Sequence, residues 1–449
     1  MRLEHDAPPS RHYIDPTPLP PAMGEKQPLL ANNDRHDDDV VFEDGHRLAM
    51  RSNATARSEC HASCAHNATQ IAGATWMSHL PSSSLMSAIT IPGTHDSAAY
   101  TYSWPFIATQ TLDITAQLNA GIRYFDLRCG LRANILEMVH GQAILNLRLD
   151  QVLADMYAWL AAHPSEALVA QIKRDRKDES STLHFAQAVV QVIAATPDHW
   201  RTANTTPLLG ELRGRIQLFR RFESSPSHPL GAYGLDVSHW QDNPERPFTI
   251  HTPQNVHLTI QDHYSFPDAL GLPTLIARKG GDVSELLDLA ATTHDRSDPY
   301  SASQWFINFT SAFEFNLYYQ ITPREIAAGA YWAFRWEDGM NVRLRAYLDA
   351  HTDDLRAGGQ STKRRFGIVA MDFPEAGAKD LVLSVLMTNF EQHESKKWRR
   401  WMAWLLVALL VCALLNVFVW NLWPQCGYSE RLLCSLPLRG YGAEIVAER

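Results

Sequence analysis

One repeating pattern constrains the fold of this chain more than anything else. A short apolar run ends in charged residues, a helical stretch follows, and another apolar run begins. Residues 88–91 lead into a loop holding His95, residues 122–127 end at Arg128, and residues 135–139 end at His140. Further on, residues 167–172 end at Lys173, 216–219 at Arg220 and Arg221, and 256–260 at Asp262. Residues 305–309 and 366–371 complete the series, the last ending at Asp372. Between these runs, residues 112–120 and 149–160 space their apolar side chains at helical intervals. Alternating strands and helices imply a parallel sheet with right-handed crossovers. Polar residues collected at strand carboxyl ends imply a TIM-type (β/α) barrel, whose active site lies at that face. The expected fold is therefore α/β, with the barrel over residues 70–392.

Two histidines, His95 and His140, and one arginine between them in sequence, Arg128, define the expected chemistry. One imidazole can take a proton while another delivers one, and a guanidinium can hold phosphate charge. Together they point to cleavage of a phosphodiester. Taken singly, each feature has a plainer explanation. A lone His-Asp pair is usually a loop contact, and Arg-x-x-Asp-x-Arg after a strand reads equally well as a structural ion pair. Only their shared place at strand ends lifts the catalytic reading.

Composition narrows the classes. The 449 residues carry a net charge of −9, which argues against a nucleic-acid partner, since such a protein needs a basic footprint. Six cysteines in this length do not make a disulfide framework. Cys60 and Cys64 have no second ligand pair after them, so no metal site is expected. Residues 1–69 are rich in Pro, Asp, His and Asn with few periodic apolar positions, and are expected to be disordered. Within them, residues 25–30, Glu-Lys-Gln-Pro-Leu-Leu, match the acidic dileucine pattern read by cytosolic sorting adaptors.

Residues 401–423 are uncharged and apolar, long enough to cross a bilayer as a helix, with Trp401 and Trp404 at one end and Trp420 and Trp423 at the other. Residues 393–400 are basic, through Lys396, Lys397, Arg399 and Arg400, and residues 424–449 form a short tail. The positive-inside rule places the barrel in the cytosol on a single C-terminal membrane anchor. Sequons at Asn53, Asn67, Asn204 and Asn308 argue the other way, although Asn308 falls in an apolar run where a glycan would not fit.

The motifs Ile91-Pro-Gly-Thr-His-Asp-Ser97, Gly121-Ile-Arg-Tyr-Phe-Asp-Leu-Arg128 and Val139-His-Gly141, in this order, resemble the X domain of phosphatidylinositol-specific phospholipase C, in its small bacterial-like and fungal form. The resemblance runs from about residue 67 to residue 390. It implies a phosphodiesterase that cleaves phosphatidylinositol-type lipids to diacylglycerol and a cyclic inositol phosphate. His95 matches the general base, Asp372 the carboxylate that orients it, and His140 the general acid, with Asp96 assisting. Arg128 stands where calcium-dependent relatives hold a metal ligand, so no cofactor or metal is implied. Asp126, Lys173, Arg221, Asp262 and Tyr264 match the headgroup side of the pocket, Asp126 being also placed to hold Arg128. Arg123 reads as structural. No second catalytic half, calcium-binding lipid module or EF-hand region follows the barrel. The aromatic segment 100–106 after the His95 loop is expected either to dip into a membrane interface or to pack under the barrel mouth. The alternatives to this activity are a diesterase for another phospholipid or glycerophosphodiester, and a non-catalytic membrane-anchored barrel that binds lipid.

Overall fold

In a computed structural model of the chain, the described residues are 71–224, 229–267, 271–293, 303–315, 320–357, 365–390, 404, 408, 409 and 411–415. The first half contains β1 (Ile91–Thr94), α1 (Ile114–Ala120), β2 (Tyr124–Arg132), β3 (Ile135–His140), β4 (Ala143–Arg148), α2 (Leu149–Ala162), β5 (Leu168–Arg174) and α3 (Phe185–Ala194). The short β6 (Trp200–Arg201) and α4 (Leu209–Leu212) precede β7 (Ile216–Arg221), β8 (Leu235–Asp236), β9 (Phe248–His251) and β10 (His257–Gln261). Then come α5 (Leu272–Thr292), β11 (Trp305–Phe309), β12 (Glu314–Phe315), β13 (Gln320–Ile321), α6 (Pro323–Ala328), β14 (Gly329–Trp332), β15 (Arg335–Asp338), α7 (Met340–Ala357), β16 (Ile368–Met371) and α8 (Leu381–Met387).

Eight of these strands form one continuous parallel ladder in the order β8, β7, β5, β2, β1, β16, β11, β10. The first and last strands in sequence, β1 and β16, are partners, as ring closure requires. Aromatic side chains meet across the interior: Phe219 of β7 lies 5.1 Å from Trp305 of β11, and Tyr124 of β2 lies 6.5 Å from Phe309 of β11. The sheet is therefore curled into a TIM-type barrel. No ladder joins β8 to β10 among the described residues, and β9 covers the outer edge of β10 by antiparallel pairing. The barrel strands are buried nearly throughout, which is why they read as continuous apolar runs.

Two units of the sequence repeat are not what the pattern implies. In one, β1 is Ile91–Thr94, shifted past the run 88–91 into the expected His95 loop. In the other, the run 135–139 forms β3, which pairs antiparallel with the far end of β2 and then with β4, outside the barrel ring. Ala133 and Asn134 take positive φ values of 48° and 65°, and this pair of left-handed residues reverses the chain at once. Strand β2 overshoots the barrel, β3 returns, and His140 arrives back at the mouth.

Local signals set several boundaries. Asp113 caps α1 by accepting from Ala116 N at 2.7 Å, and Gly121 ends it at φ 114° with Leu386 too close to admit a side chain easily. At α6, Thr322 and Glu325 form a capping box, with Pro323 in the first turn.

The segments 1–69, 393–400 and 424–449 lie outside the described residues, and with them the dileucine pattern, Cys60, Cys64 and the sequons at Asn53 and Asn67. Of the apolar run 401–423, only Trp404, Ala408, Leu409 and 411–415 are described; these are helical and exposed. Among the described residues no helix is long and apolar enough to cross a membrane. Asn308 is fully buried on β11, its amide donating to Val283 O at 2.9 Å, so that sequon has no room for a glycan.

Candidate active site

The register of the barrel assembles the site. Thr94 pairs with Met371, so the next residues on β1 and β16, His95 and Asp372, stand side by side at the carboxyl end. His95 Nδ1 lies 2.8 Å from Asp372 Oδ1. On its other side, His95 Nε2 accepts from Arg128 Nη2 at 2.8 Å. An accepting Nε2 and a donating Nδ1–H describe one tautomer of the neutral ring, the form in which it can serve as a base. Burial alone would depress the His95 pKa, but the Asp372 charge and hydrogen bond prevail over it and over Arg128, and the value is raised.

Arg128 and Asp126 lie two apart on β2 and share a face, since side chains alternate along a strand. Arg128 Nε donates to Asp126 Oδ2 at 3.1 Å and lies 3.4 Å from Asp96 Oδ2. Asp126 is fully buried, and its other oxygen accepts from Gln171 Nε2 at 2.8 Å. Burial opposes its ionisation, yet Arg128, His95, Arg221 and Lys173 together hold it well below the usual carboxylate range. Both oxygens of Asp126 have protein partners, and it braces Arg128, one of the two places the sequence suggests for it.

His140 reaches the site from the excursion of β3. Its Nδ1 lies 2.7 Å from the carbonyl of Ile107, which fixes the ring, and its Nε2 lies 3.5 Å from Asp96 Oδ2. The His95 and His140 rings stand edge to face with centroids 6.5 Å apart. Asp96 Oδ2 thus sits between Arg128 and His140, buried and without a well-formed hydrogen bond. Both turns that present the site are strained. Asp96 has φ 44° and Phe373, just after Asp372, has φ 41°. Gln110 secures them, donating to the carbonyls of His95 (2.9 Å) and Met371 (3.0 Å).

Beside this group runs a row of cations. Arg128 of β2 is in register with Lys173 of β5, and Lys173 with Arg221 of β7. Burial and the neighbouring guanidinium groups push the Lys173 ammonium down, and burial does the same to Arg221. Acidic partners offset the row. Asp175 takes Lys173 Nζ at 2.6 Å, and Asp262 lies 3.3 Å from Arg221 Nη2. Trp240 stacks on Arg221, ring to guanidinium 3.8 Å, and donates Nε1 to Asp262 at 2.8 Å. Tyr264 donates its hydroxyl to Asp242 Oδ1 at 2.9 Å; burial and that bond push the phenol up to about 12.

All ten residues singled out from the sequence therefore lie at one end of the barrel. Several partners escaped it: Gln110, Ile107, Gln171, Asp175, Trp240 and Asp242. Asp175 was within reach, two positions past Lys173 in Lys-Arg-Asp. Trp240 and Asp242 follow β8, a strand of two residues too short to leave a periodic signal.

The family model described as PI-PLC X 1 matches residues 82–212, which hold the His95, Arg128 and His140 motifs. The match is to the PI-PLC X domain, over those residues alone. The chain is similar to the 1-phosphatidylinositol phosphodiesterase of Staphylococcus aureus strain Newman, 31% identical over 201 residues, covering 42% of this chain and 64% of that protein. The chain thus spans less than two thirds of that relative's length. It is also 26% identical over 327 residues to the 1-phosphatidylinositol phosphodiesterase of Listeria monocytogenes, covering 70% of this chain and 84% of that one. A crystal structure of the S. aureus phosphatidylinositol-specific phospholipase C superposes with a TM-score of 0.58 at 24% identity, over 71% of this chain and 98% of the other. That likeness shows the fold, a barrel of the TIM type.

Proposed function

We propose that the X domain cleaves phosphatidylinositol-type phospholipids, releasing diacylglycerol and a cyclic inositol phosphate. The observation that carries this reading is the paired placement of the two histidines about a buried cation: His95, backed by Asp372 and facing Arg128, with His140 across Asp96. In this reading His95 Nε2 takes the proton of the inositol 2-hydroxyl as its oxygen attacks phosphorus. The bond from phosphorus to the diacylglycerol oxygen breaks, and His140 Nε2 protonates the departing oxygen. Arg128 moves from His95 to the phosphoryl oxygens and neutralises the charge that grows there. The cation is already present as a side chain, so the reaction runs without calcium. Lys173, Arg221, Asp262, Tyr264 and the Trp240 face bind the inositol ring, charged edges to hydroxyls and flat surface to the ring.

The same face carries exposed aromatics suited to a lipid surface. Trp104 and Tyr102 project from the loop after β1, and Tyr331, Phe334 and Trp336 from the β14–β15 hairpin, with Phe334 wholly exposed. The hairpin is rooted at the mouth. Trp332 abuts Gly271 in the loop after β10, and α6 before it packs on Phe373 beside Asp372. We place the X domain on the cytosolic side of a membrane, held by the apolar segment 401–423.

Phosphorus NMR of the full chain with phosphatidylinositol vesicles and chelator tests the reading. A cyclic phosphate product without calcium is expected. Turnover of only another phospholipid or glycerophosphodiester would replace the substrate, and no turnover of any would favour a lipid-binding barrel.

A further inference from the structure

Helix α5 grips the end of β10 by two adjacent attachments. Lys279, fully buried, donates Nζ to Gln261 Oε1 at 2.9 Å and to the His263 carbonyl at 2.6 Å. One helical turn on, Asp282 lies 2.9 Å from His263 Nδ1. Gln261 Oε1 also accepts the His263 backbone N–H at 3.0 Å, and its amide donates to Asn308 and the Phe309 carbonyl on β11. The two residues that flank Asp262 are thus fastened to one helix and to the next strand. Asp262 itself is left pointing inward, toward Arg221 and Trp240.

A buried ammonium costs free energy and is retained only where partners compensate it. Here the partners are unusually many. Asp262 and the His263 carbonyl face it from the end of β10, Asp372 from the end of β16 and Asp282 from its own helix. On the α7 side, Arg343 lies over Gly280 and is engaged with Glu337. Burial prevails over the three carboxylates, Asp262 first among them, and leaves the Lys279 ammonium lowered to about 8. A lysine needed only to fill space between helix and sheet would be replaced at less cost by an apolar side chain.

We propose that Lys279, with Asp282, is a positioning residue: it holds the Gln261–His263 strand end so that Asp262 meets the ring hydroxyls of the headgroup. This inference rests on the inositol-lipid reading of the site. It assigns Lys279 no contact with substrate; its effect passes through Asp262 and belongs to binding rather than to the chemical step.

The test is steady-state kinetics of the full chain on phosphatidylinositol in mixed micelles, with Lys279→Met, Asp262→Asn and the double variant. Lys279→Met should raise KM about tenfold or more, the effect of two lost charge-assisted hydrogen bonds, while kcat changes by less than about threefold. The double variant should be no worse than Asp262→Asn alone, because the lysine has nothing left to position. Asp282→Ala, at a partly exposed site, frees the imidazole and removes one of the three carboxylates that face Lys279, while leaving the lysine's own hydrogen bonds in place. It should raise KM by a smaller factor and be equally silent on the Asp262→Asn background. This variant decides the matter if Lys279→Met does not fold. Effects that fall on kcat, or that multiply with Asp262→Asn, would reduce Lys279 to a purely structural lysine. An inactive wild type would instead remove the inositol-lipid reading, and the inference with it.

Discussion

Arg128 occupies the nitrogen that the proposed chemistry needs: its Nη2 lies 2.8 Å from His95 Nε2. The guanidinium is anchored from behind by Asp126 and Asp96, and although burial disfavours its charge, the surrounding carboxylates hold its pKa well above the usual arginine value. It is a permanent cation on a short tether, able to exchange the imidazole for a phosphoryl oxygen without leaving Asp126.

Replacing that fork with a point charge should be costly. Arg128→Lys keeps the cation but cannot bond Asp126 and a phosphoryl oxygen in the same geometry. A fall in kcat of about a hundredfold or more is expected, with a smaller change in KM. Single-turnover measurement on phosphatidylinositol checks it; a variant within threefold of wild type would mean the fork is dispensable.

The pH profile reports on Asp372. His95 must be neutral to accept a proton, so kcat/KM rises with pH through its pKa. Asp372 raises that pKa against the depressing effect of burial. Asp372→Asn removes the charge, and the acid limb should move to lower pH while the plateau falls by about a hundredfold or more. An acid limb that does not move would show that another group controls it.

Away from the mouth, Arg123 and Glu166 form an ion pair with no exposed surface, Nη2 to Oε2 2.7 Å. Arg123 also donates to the carbonyls of Gly73 and Ala74 and lies 4.6 Å over the Trp159 ring, while Glu166 accepts from Met77 N and Ser78 N. The pair ties the segment before β1 to the base of the barrel, as the structural reading of Arg123 implies. Glu166→Gln leaves a buried guanidinium uncompensated and should cost about 3–5 kcal/mol in urea denaturation, with the chemistry at the mouth unchanged in the fraction that folds.

The exposed aromatics separate interfacial from chemical effects. Trp104→Ala and Phe334→Ala should each weaken sedimentation with phosphatidylinositol vesicles severalfold, and leave turnover of a soluble, short-chain substrate within about twofold. Vesicle binding unchanged in both variants would sink the rim. A soluble-substrate defect with Trp104→Ala would mean that this ring supports the mouth instead.

The barrel and most of its polar ring were legible in the chain. Fully buried parallel strands leave continuous apolar runs, and the polar residues that follow each run stand at the barrel end, so His95, Arg128, Lys173, Arg221, Asp262 and Asp372 could be read directly. Strands of two residues such as β8 leave no such trace, which hid Trp240 and Asp242. The left-handed pair Ala133–Asn134 turned an expected barrel strand into a hairpin, because a periodic pattern records burial and not direction. Chemistry-bearing residues and their order are thus properties of the sequence. Which of them touch is decided by register: the one-step offset that sets His95 against Asp372, the alignment of Arg128, Lys173 and Arg221, and the packing that buries Lys279 behind Asp262. Register depends on contacts between residues hundreds of positions apart, such as Ile91 with Ile368, and only the tertiary structure brings those together.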